Sequence, residues 1–171
     1  MAAALLGARL AERGVEAHVH SAGVLFDGQP ATDHGVAVMA ARGLDTSGHR
    51  SRKVDAEMVR SADLVIGMAR SHLREVLGEV PEAFPRAFTL KDLVRRGEVG
   101  PARRPGQPVG EWLLAVHQGR RPADLLGDWR DDDVADPIGR PRRAYERTAQ
   151  ELEDLTSRLA VLIEGTDVGP V

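Results

Sequence analysis

The sequence predicts an α/β fold in which helices cover a short parallel sheet. Segments with helical spacing alternate with short apolar runs from residue 2 to about residue 163, the pattern of a layered α/β chain. After Asp63 the run Leu64-Val65-Ile66-Gly67-Met68 is continuously apolar, as expected of a strand covered on both faces. Arg142 to Glu164 places Tyr145, Ala149, Leu152, Leu155, Leu159 and Leu162 three or four residues apart, which marks a long amphipathic helix.

The remaining elements follow in chain order. Ala2 to Arg13 is rich in Ala and Leu and stops at Gly14, a residue suited to the left-handed end of a helix. No Ser, Thr, Asp or Asn caps its front, and a free amine there opposes the helix dipole. Val15 to His20 alternates apolar and polar residues and predicts a strand with one exposed face. Ser21-Ala22-Gly23 ends it, and a loop through Gly28 and Pro30 leads to Thr32, the cap of a helix from Asp33 to Arg42 that stops at Gly43. Ser47 to Lys53 is polar and basic, and Ala56 to Ser61 predicts a short helix. A helix at Ser71 to Leu77 and a second apolar segment at Ala87 to Leu90 continue the alternation.

Gly97 to Pro108 is dense in Gly and Pro and reads as a loop. Glu111 to Gln118 predicts a helical insert with Trp112 and Val116 inward, and the acidic stretch Gly127 to Ala135 reads as solvated. One domain over residues 1–165 is expected, with an insert at about 97–135 and a frayed tail at 166–171. Three strands are legible, and none is the long apolar strand that forms the centre of a doubly wound sheet.

Composition narrows the chemistry. With 42% hydrophobic and 29% charged residues the 171-residue chain is not of disordered type. It has no long apolar run and no signal-peptide pattern, so a cytoplasmic protein without a membrane span is expected. A net charge of −3 gives no support for nucleic-acid binding. Zero cysteine excludes disulfides, thiolate metal sites and any thiol nucleophile within these residues.

Helix Ala2 to Arg13, Ser21-Ala22-Gly23, and Gly43-Leu44-Asp45-Thr46-Ser47-Gly48-His49-Arg50-Ser51-Arg52 together resemble the low-molecular-weight protein-tyrosine phosphatases. Ala62 to Met68 and Asp136-Pro137-Ile138-Gly139 ahead of the last helix, with Tyr145 inside it, continue the resemblance in order along nearly the whole chain. It implies a three-layer Rossmann-like fold and phosphomonoester hydrolysis through a phosphocysteine, with no cofactor and no metal. The family's defining segment is a Cys, five residues, then an Arg followed by Ser or Thr. There a thiolate attacks phosphorus, backbone N–H groups cradle the phosphate and the Arg clamps two of its oxygens. The residues from Met1 to Leu6 resemble those just after that segment. The expectation is therefore that the first central strand, the nucleophile and the clamping Arg lie outside this chain, which is then inactive by itself.

The resemblance assigns Asp136 as general acid and base, protonating the leaving group and later taking a proton from water. Asp before Pro is also a common turn starter. Asp131, Asp132 and Asp133 are rivals by proximity, but an unbroken acidic run reads as a solvated loop. Pro137, Ile138 and Phe26 are the expected pocket residues. Ile138 stands where the family often has an aromatic that lines a slot for a phenyl ring, so a preference for phosphotyrosine is weakened. Ser21 and His49 match positions that brace the phosphate loop, while a loop histidine that caps a helix is the plain alternative for His49. Arg50 and Arg52 read as surface charge. His18 and His20 share one face of the expected strand, but they lack the spacing of a metal pair.

Three functions follow from this reading. The first is a phosphatase acting on a phosphorylated protein or a small phosphomonoester once the phosphate loop is present. The second is an arsenate reductase of the same fold, which needs an external thiol. The third is a non-catalytic relative that binds or regulates.

Overall fold

The computed structural model describes residues 1–127 and 130–166. Helices α1 (Ala2–Glu12), α2 (Asp33–Ala40) and α3 (Ala56–Ser61) precede strand β1 (Val65–Gly67) and helix α4 (Arg70–Glu79). Strand β2 (Ala87–Thr89), helices α5 (Leu90–Val99) and α6 (Val109–His117), and the long α7 (Arg142–Glu164) follow. The chain forms two compact units, one of residues 1–54 with 134–160 and one of residues 55–133 with 161–171. Among the described residues no helix is long and apolar enough to cross a membrane.

The first unit holds α1, α2 and most of α7. Leu5, Leu6 and Leu10 of α1, Val38 and Met39 of α2, and Tyr145, Ala149, Leu152, Leu155 and Leu159 of α7 are buried. Val38, Tyr145 and Ala149 form one cluster, with Met1 packed against it. Glu153 adds a polar tie, since its carboxylate accepts from Arg9 Nη2 and Arg42 Nε, each at 3.1 Å. Two helices end as their glycines predict. Gly14 at φ 68° lets Val15 N–H reach the Leu10 carbonyl, and Gly43 at φ 76° lets Leu44 N–H reach that of Met39, closing each helix in a Schellman turn. Thr32 caps α2 by accepting from the Gly35 N–H, whereas no side chain caps the front of α1.

One expected element is missing from this unit. Val15 to His20 forms no strand. Alternation makes a segment able to pair, but a strand exists only where a second backbone offers its donors and acceptors. Here the segment lies beside α1, with Val19 Cβ 3.9 Å from the position that a Cβ on Gly7 would take. Among the described residues, pairing in the unit is limited to isolated bridges, Gly23 with Lys53 and Pro30 with Arg50.

The second unit contains the sheet. β1 and β2 are parallel, with Val65 opposite Ala87, Ile66 opposite Phe88 and Gly67 opposite Thr89. Both strands lie where their apolar runs predict, shortened to three residues each. Around them Phe88, Leu90, Leu93, Val94, Trp112, Leu113 and Val116 are buried, and Trp112 Nε1 donates to the Pro101 carbonyl at 3.0 Å.

Two sequence expectations fail in this unit for identifiable reasons. The stretch expected to loop from Gly97 is helical to Val99. Leu90, Leu93, Val94 and Gly97 form the buried stripe of α5. Gly97 sits there as a close-packing residue, because a Cβ would lie 2.7 Å from Leu162 Cδ1 and 3.2 Å from Trp112 Cζ2. Nor is the acidic run solvated throughout. Asp132 is only 4% exposed, accepts from Arg95 Nη1 at 2.6 Å and Arg70 Nε at 3.1 Å, and also pairs with Arg70 Nη2. Asp133 caps α4 by accepting the Arg70 N–H at 2.9 Å, and its carbonyl accepts from Lys91 Nζ. Their partners lie 37 to 63 residues away in the chain, beyond the reach of any local pattern. Trp129 and the tail beyond Thr166 lie outside the described residues.

Arg120 completes the polar interior of this unit. It donates to the carbonyls of Ala87 at 2.7 Å and Phe84 at 3.2 Å. Its guanidinium carbon lies 3.9 Å from the Phe88 ring centre and 4.8 Å from that of Phe84. Burial, with Arg96 nearby, pulls its pKa down to about 10 against the opposing pull of Asp92 and Asp124.

Trp112→Ala is expected to lower unfolding stability by about 3–5 kcal/mol, read as a shift in the urea midpoint, because it empties a large buried site. Acid is expected to weaken the fold in two steps. Burial, then the charges of Arg120 and Arg96, hold the His117 pKa below its ordinary 6.5. The unfolded chain therefore binds more protons, and stability falls as pH drops through about 6.5. Burial raises the Asp132 pKa, but Arg95 and Arg70 outweigh it and hold it below 3.8, so its contribution persists until pH falls through that lower range. Urea titrations between pH 7.5 and 5.5 check the first step, and His117→Gln should flatten it.

Candidate active site

The loop carrying Asp136 is built by residues on either side of it. Val134 is buried, and the hydroxyl of buried Thr148, on α7, donates to the Ala135 carbonyl at 3.1 Å. Pro137 is buried as well, and its carbonyl accepts the Arg140 N–H at 2.9 Å. Between these anchors Asp136 is exposed. Its Oδ1 accepts the Ile138 N–H at 3.0 Å, an Asx turn that fixes the carboxylate relative to its own backbone. The turn role open to any Asp before Pro is thus present. Ile138 is 64% exposed on the outer side of the turn.

A second constellation surrounds Ser21 and His49. Gly23 N–H donates to the Arg52 carbonyl and Val54 N–H to that of Gly23, at 2.9 Å each. Gln29 N–H is accepted by Ser51 Oγ at 2.9 Å. Arg52 Nε donates to the Ser21 carbonyl at 3.0 Å, and Arg50 Nη1 donates to the carbonyls of Ser47 and His49. Both arginines read as surface charge are therefore occupied as backbone ties, and Arg52 is half-buried. Asp45 Oδ1 accepts the Ser47 N–H at 2.8 Å, a bond that holds this carboxylate below the ordinary range.

Ser21 and His49 are exposed at the ends of this bridged pair of segments, and Phe26 is 60% exposed on the loop between them. Among the described residues no hydrogen bond joins Ser21, His49 or Phe26 to Asp136. His18 and His20 face each other with ring centres 5.5 Å apart, and among the described residues no three metal-ligating side chains converge.

A sequence profile of the low molecular weight phosphotyrosine protein phosphatases matches residues 1–100. The chain belongs to that family. A protein-arginine-phosphatase of Geobacillus stearothermophilus is 31% identical over 161 residues, 94% of this chain and 84% of the relative. A low molecular weight protein tyrosine phosphatase from T. tengcongensis superposes with a TM-score of 0.67 at 30% identity, covering 92% of this chain and 86% of that one. A YwlE arginine phosphatase, solved as a cysteine-to-serine mutant with a phosphorylated active-site serine, gives a TM-score of 0.68 at 26% identity over 93% and 83% of the two chains. These low-molecular-weight phosphatases share the α/β architecture and short parallel sheet found here.

Within this phosphatase chain, Thr148 is the site residue that sequence reading missed. Its only local signal was a polar residue beside the apolar stripe of α7. Thr148→Val should cost about 0.5–1.5 kcal/mol, the net worth of its hydrogen bond to the Ala135 carbonyl. Faster hydrogen exchange at the Ile138 amide, measured alongside urea unfolding, is the expected sign that the Asp136 loop has loosened.

Proposed function

We propose that the protein hydrolyses phosphorylated side chains of proteins, with Asp136 as general acid and base. We propose further that the thiolate partner of Asp136 lies on residues outside these 171. The observation that carries the reading is an exposed Asp136 on an Asp-Pro loop anchored on both sides, within a phosphatase family chain that contains no cysteine.

In the proposed reaction a thiolate attacks phosphorus and the bond from phosphorus to the leaving oxygen or nitrogen breaks. Asp136, protonated, gives its proton to that atom. The carboxylate so formed takes a proton from water as the water attacks the phosphocysteine, which restores both the thiolate and the acid. The phosphorylated serine of the YwlE mutant supports a covalent phosphoryl intermediate in a relative. Pro137 sets the turn, Ile138 and Phe26 are the proposed pocket walls, and Ser21 and His49 the proposed braces of the phosphate loop.

The exposed, aliphatic Ile138 offers no ring to stack on a phenyl group. Together with the arginine-phosphatase relatives, it favours phosphoarginine over phosphotyrosine as the substrate class. Leaving-group protonation is what hydrolysis demands, so Asp136 favours a phosphatase over an arsenate reductase.

The purified chain should show no turnover of an aryl phosphate or of phosphoarginine protein, and measurable turnover would overturn the assignment of the nucleophile. The coding DNA upstream of Met1 should carry an in-frame Cys-x5-Arg-Ser/Thr segment. With that segment joined, activity should appear, and Asp136→Asn should lower kcat by roughly 10²–10⁴-fold, the usual size of an acid–base contribution. Turnover by the joined chain that Asp136→Asn leaves unchanged would sink the role given to Asp136.

A further inference from the structure

The second unit contains a cavity that the phosphatase reading does not use. It has a volume of about 90 Å³, several times the roughly 10–15 Å³ that a single water requires. It opens beyond the C-terminal ends of the parallel strands. Thr89, the last residue of β2, and Arg70, the first of α4 after β1, both line it. The carboxyl end of parallel strands is where open α/β sheets hold ligands, because the following helices point their positive ends there.

Its wall is cationic in excess. Among the described residues five arginines, Arg70, Arg95, Arg96, Arg120 and Arg121, face three carboxylates, those of Asp92, Asp124 and Asp132. The carboxylates are shared rather than matched one to one. Asp92 alone serves Arg95 at 2.6 Å, Arg96 at 2.9 Å and Arg120 at 3.5 Å, while Asp132 serves both Arg70 and Arg95. Arg96 commits only its Nε to Asp92. Its two terminal nitrogens make no hydrogen bond among the described residues, and Arg96 lines the cavity. The rim is Arg121, whose side chain is 79% exposed beside Asp124.

We propose that this cavity is an oxyanion site that takes a phosphate group, held by the free terminal nitrogens of Arg96 with Arg95 and Arg121 beside them. Among the described lining residues guanidinium groups outnumber carboxylates, which suits an anionic ligand. The planar guanidinium forks supply the donors that tetrahedral oxyanions accept in pairs. Arg120 stays on the protein side of the site, occupied by the Ala87 and Phe84 carbonyls. The site is independent of Asp136 and does not rest on the proposed catalytic function.

An NMR titration of the full chain with inorganic phosphate at constant ionic strength tests it. Saturable shifts are expected at the Nε–H signals of Arg95 and Arg96 and at the amides of Thr89 and Asp92. Arg96→Gln should weaken binding by about tenfold or more, the effect of losing charge-assisted hydrogen bonds, whereas Arg50→Ala should leave it unchanged. Should Arg96→Gln lose its cooperative melt, Arg121→Gln on the exposed rim serves in its place. A parallel arm with phosphoarginine separates the sources of the ligand. Tighter binding than the free ion assigns a phosphorylated side chain, and weaker binding assigns inorganic phosphate. Shifts that never saturate, shifts confined to residues outside the cavity, or an affinity unchanged by both variants would overturn the proposal.

Discussion

Asp132 lies in the interior of the second unit and holds Arg70 and Arg95 at once. Arg70 begins α4 and Arg95 belongs to α5, the two helices that follow the two strands. A carboxylate withdrawn from water is tolerated only when its oxygens are filled, and both are filled here by guanidinium donors. Removing one arginine leaves one oxygen of the buried carboxylate unfilled, at a cost of about 1–3 kcal/mol. The adjoining Asp133 caps α4, so two consecutive residues fasten their segment to the helices around the sheet. Arg120, stacked on Phe88 and bonded to the Ala87 carbonyl, extends the same polar interior to β2. Among the described residues the sheet has two short strands, and its helices are held by these ion pairs as well as by apolar contact.

The first unit uses different means. Its helices meet through Val38, Tyr145 and Ala149, with Glu153 receiving one arginine from α1 and one from the end of α2. Against this base the Asp136 loop is fastened at Val134, Ala135 and Pro137, while the carboxylate faces outward. The acid–base role proposed for Asp136 needs a fixed position and access to solvent together. Neighbouring backbone anchors provide the first without removing the second.

Much of the helical architecture was legible from local pattern. Ala56 to Ser61 and Arg142 to Glu164 are helices at their expected bounds. Gly14 and Gly43 end helices in the left-handed conformation expected of them, and Thr32 caps α2. Each of these depends on residues within one or two turns, which is the range over which a sequence speaks for itself. Val15 to His20 alternates correctly and still forms no ladder, because pairing requires a neighbour that local pattern cannot supply. Gly97 read as a breaker and serves as a packing notch, since the side chains it admits come from Leu162 and Trp112. In the site, Asp136 and Pro137 were legible as a motif, whereas the anchor at Thr148 lies 13 residues from the carbonyl it holds.

By itself the sequence determined the class of fold, the family's ordered motifs, the positions of most helix ends and the absence of any thiol among these 171 residues. It also placed Asp136 before Pro137, ahead of the last helix. Only the tertiary structure decided that Asp132 is buried while Asp131 is exposed, since the difference lies in which residue faces Arg70 and Arg95. It decided as well that five arginines dispersed from residue 70 to residue 121 line one cavity. The physical reason is common to both cases. Helix propensity and turn chemistry are local, whereas the cost of burying a charge depends on partners that only the folded chain brings within reach.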